Sequence, residues 1–418
     1  MDKFIINGPT PLNGDISISG SKNAALPILT ACLAFPGIYT LKNVPDLRDT
    51  RTMLRLLEII GCKISKETES IVIDSINCNN PEAPYELVKT MRASFYVLGP
   101  LLSRFNYAKV SLPGGCAWGP RPIDYHLTAF EELGANIDLD SGYIITEGSL
   151  SSAKIRFPKP SVGATGNVIM ACSSLEEEVT IENAAMEPEI SDLCHFLSKA
   201  GVSFDGIDTS TLKIKGIKHK NPINLSYTVI PDRIEAGTFL IAGAMNGGRL
   251  RLNNVNANHL ENVIDNLIKS GSKIELLENS IIIDSDKNIT PVDLSTDVYP
   301  GYPTDLQAQW IALMCIANGK SVIKDTVYLD RFTHVPELIR LGAKIRMDKN
   351  IAIIEGVKQL KSAKVMSTDI RASASLIIAA MNSEGQTYLS RIYHIDRGYE
   401  KIEEKLNNVG ASIKRINE

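Results

Sequence analysis

The segment SLPGGCAWGPRPID, residues 111–124, holds the residue types best suited to chemistry. Cys116 follows Gly114 and Gly115, precedes Trp118, Gly119 and Pro120, and has Arg121 five residues on. Glycine and proline at this density make a loop, and a thiol on a loop beside a cation is where thiolate chemistry arises. The competing reading is a small buried hydrophobe, the common fate of a lone cysteine. Other polar residues gather where strands give way to helices. They include Lys22-Asn23, Asp46-Arg48-Asp49, Arg92, Ser161-Val162-Gly163, Glu187-Glu189, Asp232-Arg233, Thr304-Asp305, Asp330-Arg331, Asp369-Arg371 and Asp396-Arg397. Backbone N–H groups at helix starts attract anions. Lys22, Arg92, Arg121, Arg331, Arg371 and Arg397 beside them point to ligands bearing phosphate or carboxylate. Taken singly, an Asp–Arg pair is a cap or a solvated ion pair worth about 0–1 kcal/mol, so the argument rests on recurrence. His126 and His334 read as structural residues.

The junctions recur because the chain does. An apolar helical run, a glycine, a small residue and a short strand appear six times: LLEIIGCKI, FEELGANI, FLSKAGVSF, NLIKSGSKI, LIRLGAKI and KLNNVGASI. Their glycines, Gly61, Gly134, Gly201, Gly271, Gly342 and Gly410, stand 67 to 73 residues apart, a period that marks internal repeats. Each sits where a helix end needs a left-handed residue. Before Gly271, the spacing predicts Leu260, Val263, Ile264, Leu267 and Ile268 on one apolar helix face. A second helix type, as in GATGNVIMACSS and IEAGTFLIAGAM, is apolar nearly all round and must be buried. Each unit therefore reads strand, buried helix, strand, amphipathic helix, strand, strand. The sixth unit, ending at KRINE, lacks its last strand, and KFIING near residue 3 is the missing piece. The expected fold class is α/β: six small sheets with helices packed inside, in two domains of three units each, 22–229, and 1–21 with 230–418. Two passages between domains suit a hinge and an active-site cleft.

Composition narrows the function. A chain of 418 residues, 44% hydrophobic and 22% charged, can bury large cores without covalent staples. A net charge of -4 with no basic run argues against a nucleic-acid partner. The seven cysteines, Cys32, Cys62, Cys78, Cys116, Cys172, Cys194 and Cys315, form no C-x-x-C, so neither a disulfide framework nor a metal site is expected. MDKFIINGPTPLNG lacks the basic-then-apolar order of a signal peptide, and WIALMCIA at 310–317 is too short to span a bilayer. A cytoplasmic protein with no membrane partner is the expectation.

Ten segments identify a family. SGSKNAALPIL, MRASFYVLGPLL, LPGGCAWGPRPIDYH, PSVGATGN, MEPEISDL, PDRIEAGTFL, YPTDLQAQ, RFTHVPELIRLGAKI, DIRASASLIIAAM and DRGYEKIEEKL resemble the enolpyruvyl transferase family along essentially the whole chain. The resemblance implies an inside-out α/β barrel. It also implies transfer of enolpyruvate from phosphoenolpyruvate to the 3-hydroxyl of UDP-N-acetylglucosamine, releasing phosphate, at the start of peptidoglycan precursor synthesis. No cofactor and no metal are implied, and Cys116 is expected to be able to carry a covalent phosphoenolpyruvate adduct. By the same match, Cys116 is the proton donor and Asp305 the base for the sugar hydroxyl, with Lys22 and Arg397 also catalytic. Lys22, Asn23, Arg121 and Arg397 match the phosphoenolpyruvate site. Arg92, Arg121, Pro122, Ile123, Asp124, Tyr125, Ser161, Val162, Gly163, Asp305 and Val327 match positions that hold the UDP-sugar. Asp49, Arg331, Asp369 and Arg371 are expected to support them.

The chemistry agrees with the match, because C3 of the enol must gain a proton while a hydroxyl attacks C2, which calls for an acid and a base. Gly166, where relatives often carry a larger or polar residue, Trp118 on the loop and Leu329 before Asp330 depart from the pattern. Two other functions compete. Shikimate 3-phosphate as acceptor is disfavoured by Asn23 after Lys22 and by the Cys116 loop. A binder of nucleotide-sugars without catalysis is disfavoured by the presence of Cys116, Asp305 and Lys22.

Overall fold

Six four-stranded sheets embody the repeat in a computed structural model that describes residues 2–112 and 123–417. Cys116, Trp118, Arg121 and Pro122 lie outside the described residues. In every sheet a leading strand runs parallel to the second strand, and two more strands complete it antiparallel. Each sheet has one buried face. In the strand Gly37–Lys42, Tyr39 and Leu41 are buried and Ile38 is exposed, the alternation of a half-solvated sheet. All six repeat glycines end their helices with φ between 90° and 111°, a conformation that costs any other L-residue.

The chain divides into two compact units, Gly20–Ile230, and Met1–Ser19 with Pro231–Glu418. Within each, three buried helices pack on one another and on the inner faces of three sheets. All residues of the helix Arg233–Asn246 are buried, and so are those of Ile370–Asn382 from Arg371 onward. Such helices need small residues where they cross. At Gly237 a Cβ would stand 2.3 Å from Leu306 Cδ1. Fully burying one leucine such as Leu29 contributes roughly 2–3 kcal/mol, so these inner helices dominate each unit's stability.

Two leading strands are exchanged along the chain. Gly14–Ser17 directly precedes the first buried helix, yet it pairs with Gly248–Asn253 of the fourth repeat. Ile223–Thr228 precedes the fourth buried helix and pairs with Gly37–Lys42 of the first. Lys3–Gly8 lies between Gly385–Ser390 and Ser412–Ile416, completing the sixth sheet.

Two details differ from the sequence reading. Ile268 is 51% exposed while Val263, Ile264 and Leu267 are buried, because it stands at the rim of the apolar stripe, one residue before the helix Glu261–Lys269 ends. MRASFYVLGPLL is not one α-helix. A 3₁₀ segment Arg92–Val97 leads into Leu98–Phe105, since Pro100 has no N–H for the carbonyl of Tyr96 and its ring crowds that carbonyl.

Candidate active site

In the unit Gly20–Ile230, Ser21 starts the helix Lys22–Ala31 by accepting a hydrogen bond from the N–H of Ala24 at 3.3 Å. That start fixes Lys22, whose Nζ lies 3.4 Å from Asp49 Oδ2, both side chains nearly buried. Asp49 occupies the first turn of Arg48–Ile60, where the helix dipole favours a carboxylate. A buried ion pair adds little net stability, so its effect is to hold an ammonium at a helix start. Asn23 follows it, half-buried.

A second group forms in the same unit. Ser161 caps the helix Val162–Ala171 through the N–H of Ala164 at 3.3 Å. The neighbouring helix Asp124–Glu132 carries Tyr125, stacked on Phe157 at 6.2 Å, and His126. His126 Nδ1 meets the Asn167 amide at 3.1 Å, and its ring covers Gly163 so closely that a Cβ there would stand 3.2 Å from Nε2. Burial and the charge of Arg92 push the His126 imidazole down to about 3, leaving it neutral. Ile123 to Tyr125, Ser161 to Gly163 and Arg92 thus share one neighbourhood, with His126 as the piece between them. Gly166 faces the Tyr96 ring, where a Cβ would lie at 3.0 Å, so a larger residue would displace Tyr96.

The third group belongs to the other unit. Asp305, on the 3₁₀ turn Thr304–Leu306, places Oδ1 2.7 Å from Arg331 and 3.2 Å from Nε of Arg371. Burial alone would raise the Asp305 carboxyl, but Arg371 and Arg331 outweigh it and hold the group well below the usual carboxylate range. Its side chain remains 26% exposed, open to a ligand. Arg371 is braced in turn, donating to the Tyr399 hydroxyl at 3.3 Å. Gln309 donates to that hydroxyl and to the Asp305 carbonyl.

Comparison with known proteins bears on what these groups serve. Residues 6–406 match the family model for EPSP synthase (3-phosphoshikimate 1-carboxyvinyltransferase). A protein of Chlorobium chlorochromatii named UDP-N-acetylglucosamine 1-carboxyvinyltransferase is 49% identical, over 99% of both chains. One of the same name from Chloroherpeton thalassium is 50% identical, over 99% of this chain and 97% of its own. The chain belongs to the enolpyruvyl transferases. In fold, this transferase matches the enolpyruvyl transferase NikO from Streptomyces tendae, with a TM-score of 0.90 at 23% identity over 99% of this chain and 98% of the other. EPSP synthase from Acinetobacter baumannii aligns with a TM-score of 0.76 at 17% identity over the whole of both chains. The architecture is the inside-out α/β barrel of this family.

The helix starts of this transferase are not equally open to anions. Asp232 accepts from the N–H groups of Ile234 and Glu235, and Asp369 from those of Arg371 and Ala372. These carboxylates already occupy the anion position. Ser21 and Ser161 are neutral caps, which leave their helix starts more receptive. Arg397 ends the 3₁₀ segment Ile392–Arg397, two residues before Tyr399, and Val327 lies 43% exposed in a turn. Sequence reasoning passed over Tyr399 and Asp325, whose bonds to Arg371 and Thr304 span 28 and 21 residues, and Gln309, whose place one helical turn after Asp305 could have found it.

Proposed function

We propose that this enolpyruvyl transferase moves enolpyruvate from phosphoenolpyruvate to the 3-hydroxyl of UDP-N-acetylglucosamine, releasing phosphate for peptidoglycan precursor synthesis. The observation that carries the reading is identity near one half, over essentially full length, with proteins named for that activity. The three groups of side chains fit its chemical demands.

Asp305 is ionised throughout the neutral range and acts on the acceptor hydroxyl. Two guanidinium groups make it a weak base. A weak base suffices here, because the hydroxyl becomes strongly acidic once its oxygen bonds C2 and carries positive charge. Cys116 as a thiol delivers the proton to C3, and the thiolate left behind can bond C2, with the phosphate still attached, to give the adduct. Lys22, Asn23, Arg121 and Arg397 clamp phosphate and carboxylate, and charged donors held in place stabilise the departing phosphate. Arg92, Arg121 to Tyr125, Ser161 to Gly163, Asp305 and Val327 hold the UDP-sugar. Asp49, Arg331, Asp369 and Arg371 fix the groups that touch substrate. The reading needs neither metal nor organic cofactor. It places the enzyme in the cytoplasm, and no helix among the described residues is long and apolar enough to cross a membrane.

The test is phosphate release from phosphoenolpyruvate with UDP-N-acetylglucosamine or shikimate 3-phosphate as acceptor. Release with the UDP-sugar alone is expected; release with shikimate 3-phosphate alone would overturn the proposal. An epoxide that mimics phosphoenolpyruvate should label Cys116, and a label found by mass spectrometry on another cysteine would remove that residue from the scheme.

A further inference from the structure

The repeats differ at one position: three units share an asparagine there, while the second and sixth carry Leu112 and Arg391 and the fifth an aspartate. The residue just after the second strand is Asn43, Asn183 and Asn254 in the first, third and fourth units. All three take a left-handed backbone, with φ of 56°, 55° and 58°. Each donates its side-chain amide to the carbonyl that follows the leading strand: Asn43 to Val229 at 2.8 Å, Asn183 to Phe157 at 2.7 Å and Asn254 to Ile18 at 2.8 Å. This is a structural clasp between the two parallel strands.

In the fifth unit the same position holds Asp325, which is not left-handed. Its carboxylate is fully buried and is filled by four donors. Oδ1 accepts from Thr296 Oγ1 at 2.8 Å, which preserves the clasp, and also from the N–H groups of Val327 at 3.0 Å and Tyr328 at 2.8 Å. Oδ2 accepts from Thr304 Oγ1 at 2.7 Å. Thr304 in turn accepts from Arg331 at 3.3 Å, through the same nitrogen that bonds Asp305. A clasp needs one hydrogen bond. A buried carboxylate is a costly way to make it, and the cost is offset only when all its acceptor positions are used.

We propose that Asp325 is a positioning residue for the transfer reaction, holding the turn of Val327 and the turn of Asp305 in one fixed arrangement. It acts through Thr304 and Arg331 and does not touch substrate. The proposal rests on Asp305 as the base. Only a carboxylate makes all four bonds as acceptor. An amide at this position would turn two hydrogens toward Thr304 and reverse that hydroxyl, whose own hydrogen would then face the Arg331–Asp305 pair.

Asp325→Asn is the decisive variant because it installs the clasp residue of the first, third and fourth units. A residue that only clasps strands would tolerate it. The expectation is a kcat for phosphate release lowered by roughly 10- to 100-fold, the scale of a small misplacement of a reacting group, with KM for phosphoenolpyruvate within about twofold of wild type. Asn183→Asp, the reverse exchange in the third unit, should move the thermal midpoint but not kcat. Thr304→Val, which removes the hydroxyl at similar volume, should reproduce the loss and decides the matter if Asp325→Asn fails to fold. Wild-type kcat in Asp325→Asn or in Thr304→Val, or an equal loss of kcat in Asn183→Asp, overturns the proposal. Asp305→Ala, assayed beside them, separates the two claims. Undiminished turnover there defeats the base itself, whereas a slow Asp305→Ala with an unimpaired Asp325→Asn defeats only the positioning role.

Discussion

Asp305 is held by two cations, and that arrangement makes definite demands at the scale of single residues. On the proposed scheme, replacing it with alanine removes the group that takes the hydroxyl proton but leaves the nucleotide contacts proposed for Gly20–Ile230 intact. Turnover should fall by about 10²- to 10⁴-fold, the usual span for a general base, while UDP-N-acetylglucosamine binding remains measurable by calorimetry. Turnover near that of wild type would show that the proton leaves by another route. His334 makes a different demand. It is 1% exposed, its Nε2 has no hydrogen-bond partner among the described residues, and burial pushes it down to about 4 although Asp369 nearby favours the cation. In the unfolded chain a histidine titrates near 6.5. As pH falls through that value the unfolded state gains a proton that the folded state refuses, so the stability present above about 6.5 drains away toward 4. The slope reaches about 1.4 kcal/mol per pH unit. Thermal midpoints at pH 7.5 and 5.5 should differ less in His334→Leu than in wild type; an identical difference would place the acid sensitivity elsewhere.

At the scale of elements, the six helix-ending glycines differ in what surrounds them, and this separates backbone strain from collision. A Cβ at Gly342 meets nothing nearer than 3.8 Å, so alanine there costs only the left-handed conformation, roughly 1–2 kcal/mol. At Gly271 a Cβ would also stand 2.9 Å from the carbonyl oxygen of Asn288, so Gly271→Ala should destabilise more in urea titrations than Gly342→Ala. Equal costs would mean that the Asn288 carbonyl yields freely. These glycines were legible in the sequence because periodicity and a local conformational need coincide. The partners within the candidate site were not. Asp305 meets Arg331 and Arg371 from 26 and 66 residues away, and nothing in the local pattern says which carboxylate faces which guanidinium. Setting the second strands one under another would have drawn attention to Asp325, since KN, EN and NN in three units become SL, KD and SR in the second, fifth and sixth, and only the fifth puts a carboxylate there. What that aspartate joins was beyond reach, because two of its four donors, Thr296 and Thr304, come from 29 and 21 residues away and only the folded chain brings them to it.

The chain as a whole is threaded so that residues near its two ends complete one sheet. Lys3 pairs with Ile416 and Asn7 with Ser412 in antiparallel register, while the other edge of the same strand pairs with Gly385–Ser390. The repeat made this legible as a strand missing from the sixth unit. The exchange of Gly14–Ser17 with Ile223–Thr228 was not, since a four-residue strand carries almost no pattern and its partner lies more than two hundred residues away. Lys3–Gly8 occupies an inner position, so deleting it would strip hydrogen bonds from two strands at once and uncover the core that Phe4 and Ile6, both fully buried, now fill. Covalent order should matter far less than presence. Residues 3 and 416 face each other across one ladder, so a short glycine-containing loop can join them as a hairpin. New ends can then be opened at the exposed turn Ser141–Gly142, whose two residues both have positive φ and lie between the paired strands Asn136–Asp140 and Tyr143–Glu147. Such a permutant should fold and release phosphate at a rate within about tenfold of wild type, because no buried contact is removed and loop closure changes by only a few RT. The same deletion of residues 3–8 without the join should yield a protein that exposes apolar surface to a dye and unfolds at much lower urea. A deletion variant as stable as the permutant would mean that the inner strand is dispensable and that the sixth sheet is held by its helices alone.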